Sequence, residues 1–515
     1  MTPLPQTLDQ HYDAALRKLK PHHTILMDEG NPISFQEFQL SVRRQVAALK
    51  LAGVIPGQMV GYSVPNGLAA FTLPLAISRI GAACLPMYVL VPDEFRCAAF
   101  AQARATFVVV PGESADNFRQ IAAAKGMTFS VLTSEELLQA DPEELPPAIS
   151  VPDQPFLFAT SSGTTGQPKP VFMTQRNVAS ALSAAYDLSS YGPWRTDSDY
   201  RAMIAFPQST SGIMILLGTA FLGVCQVFTR SLSPARFLEI AHAVDAEAFS
   251  APPAWLEALL SIPVNATNRV PSLRGVAAGM DFVSPSLLQR LGVRFPAMDS
   301  VANGYGLVET ATVFMIWKGD GKESFAGPTG RLTLCEGLGN EIRVVTETGE
   351  DVAIGEEGEL WTKGPSVITS YLGNTQGFQD GWFRTGDYVV RESDTTVELR
   401  GRRKYLIKRG GKSVSPLVVQ EAVDRSPGIL RSAVVGIPHA LYGEMVWAFA
   451  VAQPGAEPST ASVMKSVRAE LPSHMVPDRV EFVETIPLGK GVGKVDREAL
   501  IAQGKALLEK LGVQG

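Results

Sequence analysis

The segment Ser161-Ser162-Gly163-Thr164-Thr165-Gly166-Gln167-Pro168-Lys169 gathers four hydroxyls, two glycines and one ammonium between two apolar runs, PFLFAT and VFM. Glycine lets a backbone turn tightly and turn its N–H groups toward one point. A cluster of donors without carboxylates suits a polyphosphate. The same composition also makes an ordinary polar hairpin loop. The GxxxxGK(S/T) spacing of a P-loop is absent, which disfavours a P-loop kinase.

Three further segments carry reactive side chains. In Asn303-Gly304-Tyr305-Gly306-Leu307-Val308-Glu309-Thr310, Tyr305 offers a flat face for a base and Glu309 an oxygen for a hard cation such as Mg²⁺. A dinucleotide fingerprint would need a third glycine where Glu309 stands. Phe383-Arg384-Thr385-Gly386-Asp387 sets an aspartate beyond a tight turn, where it can accept two ribose hydroxyls. Gly489-Lys490-Gly491-Val492-Gly493-Lys494-Val495 carries two lysines on a glycine-rich loop. Each of the three is weak alone: a glycine turn, an Asp-Gly turn and a solvated basic turn have the same composition.

The elements that must position these segments follow from the hydrophobic pattern. Phe38, Val42, Val46 and Leu49 share one face of a helix predicted over 38–54. From 56 to 86 strand and helix alternate (MVGYSV, GLAAFTLPLAISRIG, AACLPM), and the rhythm returns at RAMIAF, EAFSAPP and LRGVAAG. That alternation predicts parallel sheets wrapped by helices. Residues 330–400 are strand-rich, with EIRVV, GELWTKG and TVELRG between glycine and acidic turns, and predict a small β subdomain. After GRRKYLIKRGG, strands are expected at 431–437, 446–452 and 480–484 and a helix at 460–471 capped by Ser459. The expected fold class is α/β: a large N-terminal domain (1–401) of two parallel βα subdomains plus the β subdomain, and a small mobile α+β domain (402–515).

Composition excludes several classes. Forty-five Lys and Arg against 51 Asp and Glu give 45 − 51 = −6, and no basic block marks a nucleic-acid face. Cys84, Cys97, Cys225 and Cys335 are too scattered for a metal pair or a disulfide framework and read as reduced core thiols. The most apolar run, 213–228, is shorter than the roughly 20 residues of a membrane span and reads as a buried helix passing into a strand. Neither the first residues nor KLGVQG reads as an address, so the expected compartment is the cytoplasm.

Together, the order and spacing of the four segments resemble the adenylate-forming superfamily: acyl-CoA synthetases, luciferases and the adenylation domains of peptide synthetases. The resemblance runs over about 20–505 and includes GELWTKGPSVITSYLGN and GRRKYLIKRGGKSVSP. It implies attack of a carboxylate on the α-phosphate of MgATP, giving an acyl-adenylate and pyrophosphate. It implies that Ser161, Ser162, Gly163, Thr164, Thr165, Gly166 and Lys169 hold the β- and γ-phosphates. Tyr305 would stack on adenine beside Gly279 and Met280, next to Gly306; Asp387 would bind the ribose with Arg402 near it; Glu309 would hold Mg²⁺. Lys494 would bridge carboxylate and α-phosphate. Rotation at Lys404 would then withdraw Lys494 and bring in the segment around Lys408, so that a nucleophile, commonly the thiol of CoA, attacks the adenylate. Phe206, Ser209, Thr210, Gly279, Asn303 and Gly304 would line the acid pocket, where a larger residue at 210 or 279 should narrow substrate size.

Several positions depart from the family pattern. Pro170 stands for a glycine and removes a backbone donor. Val308 stands for a threonine, for which Thr310 is a candidate substitute. Residues 207–212 (PQSTSG) lack an aromatic–His element, Gln175 replaces a histidine, and Leu417-Val418-Val419-Gln420 lacks two glutamates. Two acceptors are thereby open: CoA, or an amino acid or amine as in amide ligases of the coronafacate-ligase type. No aspartate in 204–212 marks an α-amino-acid substrate. Asp281 would tune the pocket or cap the following helix. Lys494→Ala should lower acid-dependent pyrophosphate release by about 10²–10³ while ATP still binds; adenylation near the wild-type rate would overturn the role of Lys494.

Overall fold

The computed structural model describes residues 5–161, 169–191, 200–205, 210–231, 233–327, 329–371, 375, 377–489 and 495–510, with the backbone alone at 160, 161, 169, 170, 184–191, 210, 211 and 336. Its first sheet runs Ser130–Thr133, Phe107–Val110, Met59–Tyr62, Ala83–Pro86, Pro155–Ser161, Lys169–Thr174. All neighbours are parallel except the last pair. Parallel strands are covered by helices on both faces, so they read as unbroken apolar runs. Phe107–Val110 is buried at every position.

A second, larger sheet has a parallel half and an antiparallel half. Its parallel run is Ser300–Gly306, Gly275–Gly279, Ala248–Ala251, Arg201–Ile204, Cys225–Phe228, Thr24–Asp28. Val313–Asp320 returns antiparallel to Ser300–Gly306 and pairs with Arg331–Leu334, which leads to Thr396–Arg402, Trp382–Arg391, Glu357–Lys363 and Glu341–Val345. The strand-rich stretch expected at 330–400 is therefore hydrogen-bonded onto the parallel sheet. A small sheet of Lys412–Val414, Ile407–Arg409, Gly443–Ala452 and Ile429–His439, with Arg479–Phe482, completes the fold. The 3₁₀ turn Arg403–Tyr405 separates the last strand of the large sheet from the first of the small one.

Local chemistry moves some boundaries. The helix expected at 38–54 spans Phe35–Leu51, because Ser34 and Glu37 form a reciprocal capping box and Gly53 turns left-handed (φ 94°) behind it. The apolar run becomes helix Thr210–Leu222 and strand Cys225–Phe228. Among the described residues no helix is long and apolar enough to cross a membrane. All four cysteines are buried free thiols, and burial raises Cys97 to about 11 and Cys225 to about 12.

Gln175, the position of the replaced histidine, lies in this framework. It opens helix Gln175–Tyr191 and is 1% exposed. Its Oε1 accepts from Leu8 N (3.0 Å) and its Nε2 donates to Ser78 Oγ (2.9 Å). Both ends are thus spent joining helices Leu8–Lys18 and Leu68–Arg79. Gln175→Leu leaves the Leu8 N–H and the Ser78 hydroxyl without that partner. We expect a loss of roughly 1–3 kcal/mol in denaturant unfolding, with no change in the preferred acyl acceptor.

Candidate active site

Strands Arg201–Ile204, Ala248–Ala251, Gly275–Gly279 and Ser300–Gly306 are parallel and end on one edge. Carboxyl ends of such strands are where α/β sheets bind ligands. From this edge emerge residues 205, 280–284 and 307–312. The antiparallel half brings Asp387 and Arg402 to the same place.

Asp387 is the centre of the arrangement. Its segment is a bulge within strand Trp382–Arg391, where the register slips opposite Glu359 and Trp361, and not the tight turn its sequence suggests. Bulges re-aim side chains. Gly386 takes φ 72°, and a Cβ there would stand 3.6 Å from Arg402 Nη1. The Asp387 side chain is 7% exposed, and its Oδ1 lies 3.0 Å from Arg402 Nε. Its Oδ2 accepts the Tyr305 hydroxyl at 2.6 Å. Arg402 Nη1 also donates to Thr385 O at 2.6 Å. Burial opposes the charge on Arg402, but Asp387, Tyr305, Glu309 and Tyr405 outweigh it, so its pKa is raised. Burial, then the charge of Asp387, pushes the Tyr305 phenol well above its usual range. Phe314 packs edge-on against the Tyr305 ring at 5.5 Å.

Two residues that the sequence reading left without roles support this centre. Glu359, 5% exposed, accepts from Arg384 Nη2 (2.9 Å) and from Gly386 N (3.3 Å), holding the bulge. Tyr371 donates to Glu309 Oε1 at 2.6 Å. Both lie in the segment 358–374 whose family likeness was its one signal. Tyr371 reaches its place because Ile368 N donates to Glu309 O (2.9 Å) and Asn177 Nδ2 holds the carbonyls of Pro365 (2.9 Å) and Val367 (3.1 Å).

The phosphate-loop residues Ser162 to Gly166 lie outside the described residues. Their stems, strands Pro155–Ser161 and Lys169–Thr174, form a hairpin, and the first touches the turn Val308–Thr310 that carries Glu309. Pro170 falls in the outer strand, opposite Thr160, on a sheet edge where a missing N–H is tolerated. Val308 packs against the apolar core beside it. Thr310 is no substitute for the missing hydroxyl: it is fully buried, accepts from Leu307 N (2.9 Å) and faces the carbonyls of Leu307 and Thr312.

The pocket residues divide. Phe206 and Ser209 lie outside the described residues, and Thr210 opens its helix. Gly279 pairs with Gly304, and Asn303 Nδ2 donates to Thr329 O at 3.2 Å. A Cβ on Gly279 would stand 2.9 Å from Gly304 O, and one on Gly304 2.8 Å from the Val313 side chain. Close strand approach thus requires both glycines, and a side chain at Gly279 would meet the neighbouring strand before any pocket. Met280 takes φ 73°, a strained conformation for a non-glycine residue. Ser284, not Asp281, caps the helix Pro285–Arg294. Asp281 instead faces the small domain: burial pulls down the pKa of Arg497, and the charge of Asp281 acts against that fall.

Lys494 lies outside the described residues. Arg497, three residues on, sits 5.1 Å over the Tyr405 ring and donates to Val434 O at 2.8 Å. Lys404 lies over the same ring at 4.6 Å. Lys408 is not brought to Asp387. It is exposed on the hairpin of the small sheet, with Nζ donating to Ser413 Oγ at 2.7 Å.

A family model described as AMP-binding enzyme matches residues 13–372, and one for the AMP-binding enzyme C-terminal domain matches 419–494. A feruloyl-CoA synthase from an Amycolatopsis species is 27% identical over 494 residues, covering 93% of this chain and 95% of that protein. An indoleacetate–CoA ligase from Aromatoleum aromaticum is 27% identical over 525 residues, covering 96% and 98%. The amide bond synthetase McbA from Marinactinospora thermotolerans superposes with a TM-score of 0.83 at 24% identity, covering 97% and 100%. At that identity the likeness carries the fold alone.

Gly279→Phe should therefore act through the sheet. We expect a loss of about 1–3 kcal/mol from overpacking in denaturant unfolding and a fall in activity with every acid alike. A stable variant that loses only its larger acids would restore Gly279 as a pocket residue.

Proposed function

The chain belongs to the AMP-binding enzymes and is an adenylate-forming ligase, and we propose that it activates a ring-bearing carboxylic acid and passes the acyl group to the thiol of CoA. The observation that carries this reading is the Asp387 carboxylate pinned between Tyr305 and Arg402, with Glu309 near enough to act on the same arginine. A buried acid with oriented oxygens beside a flat aromatic ring fits a ribose and its base. The ring-bearing acid is supported by relatives named for feruloyl and indoleacetate substrates, each matched over more than nine-tenths of this chain.

In this reading residues 161–169 hold the ATP triphosphate, with adenine on Tyr305 near Gly279 and Met280. Asp387 accepts the ribose hydroxyls, and Arg402 fixes its plane. Glu309 is one hard carboxylate oriented by Tyr371. Among the described residues no cluster of three or more His, Cys, Asp and Glu stands ready to hold an ion. That donor set fits a Mg²⁺ that arrives with the triphosphate and keeps phosphate and water ligands; when bound, it supplies positive charge to the phosphates. Lys494 brings together the substrate carboxylate and the α-phosphate. A carboxylate oxygen bonds to the α-phosphorus, the α–β bridging bond breaks, and pyrophosphate leaves. The problem is one of charge, since an anion approaches a polyanion, and fixed donors meet it without reorganising.

The second step uses residues 402–515 as a body that turns about Lys404 and exchanges Lys494 for the Lys408 hairpin, a gating motion. The thiol sulfur then bonds to the acyl carbon and AMP leaves. A second reading ends in an amide, with an amine in place of the thiol. It is motivated by residues 207–212 and by Val418 and Gln420, which lack the usual CoA-ligase elements. Gln175 lends it no support, since that side chain is committed to helix packing.

The test is acid-dependent pyrophosphate release over aromatic, alicyclic and fatty acids, each alone, with CoA and with amino acids, with products identified by mass. We expect aromatic acids to give the highest kcat/KM and CoA to yield a thioester. An amide with no CoA stimulation would establish the second reading. No acid-dependent pyrophosphate release would overturn both.

A further inference from the structure

The phenol of Tyr305 makes a contact that adenine stacking does not require. A ring stacks through its face, and phenylalanine provides that face as well. Yet the hydroxyl donates to Asp387 Oδ2 at 2.6 Å in a partly buried contact. The other oxygen, Oδ1, meets Arg402 Nε at 3.0 Å. The two partners come from different strands, Ser300–Gly306 and Thr396–Arg402, and grip the carboxylate from its two oxygens. A carboxylate has about four acceptor positions, two on each oxygen. One directed partner on each oxygen sets the plane in which further hydrogen bonds are accepted.

We propose that the Tyr305 hydroxyl is a positioning residue for sugar recognition: by orienting Asp387 it sets the discrimination between ribonucleotides and deoxyribonucleotides. This rests on the reading of Asp387 as the ribose acceptor. A site built to hydrogen-bond a substrate hydroxyl rejects the analogue that lacks it, because its own polar group is then left without that partner. The rejection depends on the acceptor being held in place. Without the phenol, Asp387 keeps Arg402 but loses the hydroxyl on Oδ2, and the plane of its carboxylate is set less strictly. The orientation then costs nothing extra when one ribose hydroxyl is missing. Burial and the charge of Asp387 keep the phenol protonated, so it remains a donor over the pH range of an assay.

The experiment measures kcat/KM for ATP, 2′-deoxy-ATP and 3′-deoxy-ATP in acid-dependent pyrophosphate release. Equilibrium binding of AMP and 3′-deoxy-AMP gives the same ratio without turnover. Wild type is compared with Tyr305→Phe, which keeps the ring, and Tyr305→Leu, which loses both. We expect wild type to prefer ATP and both variants to lose roughly ten- to hundredfold of that preference, the scale of one hydrogen bond to a charged group. Tyr305→Leu alone should also weaken binding of all the nucleotides together. A wild type that treats the three triphosphates alike removes the ribose role of Asp387, and the proposal with it. A discriminating wild type whose Phe and Leu variants keep the same ratio leaves Asp387 in place and overturns the role of the hydroxyl alone. The ratio is the deciding quantity because general destabilisation lowers every rate but leaves it unchanged.

Discussion

A carboxylate buried at the meeting of two sheet halves has to be paired, and in this molecule Asp387 is paired by residues far apart in the chain. Tyr305 approaches from the last parallel strand and Arg402 from an antiparallel strand nearly a hundred residues later. Breaking such a buried pair by removing one partner commonly costs about 3–5 kcal/mol, because the other charge is left stranded. The arrangement therefore depends on the continuity of the large sheet. Val313–Asp320 must return along Ser300–Gly306, Arg331–Leu334 must follow it, and Thr396–Arg402 must pair beyond that. The bulge at Thr385–Asp387 and the buried Glu359 that accepts from Gly386 N aim the carboxylate back toward the parallel edge.

The same constraint explains the glycines around the site. Gly279 and Gly304 sit on paired strands where a Cβ would collide with a carbonyl or a valine. At Gly306 a Cβ would stand 2.3 Å from Thr312 O. These positions keep backbones close enough for Tyr305, Glu309 and Asp387 to share one space. Met280 takes a left-handed conformation just beyond Gly279, and the charge of Asp281, the next residue, acts on Arg497 of the small domain.

The departures from the family pattern fall into different kinds. Gln175 and Thr310 spend their polar atoms inside the scaffold. Pro170 lies on a sheet edge and Val308 against the core. The hydrogen bonds of Gln175 and Thr310 go to the scaffold and not to Asp387. The other departures, in residues 207–212 and in Val418 and Gln420, are the ones that motivate the amide reading.

Local signals in the chain were enough for the alternation of strands and helices, the capped helices and the four motif segments. Periodicity, caps and glycine-rich loops are properties of neighbours in sequence. The helix at Phe35 began three residues early because a capping box outranks the apolar stripe. The partners of Asp387, the grip of Tyr371 on Glu309 and the engagement of Gln175 were not legible, since each joins residues separated by 15 to 167 positions. That Gly279 and Gly304 stand against a carbonyl and a valine was hidden for the same reason. Whether a glycine opens a pocket or admits a neighbouring strand depends on what stands opposite it, and strand pairing brings that neighbour from elsewhere in the chain.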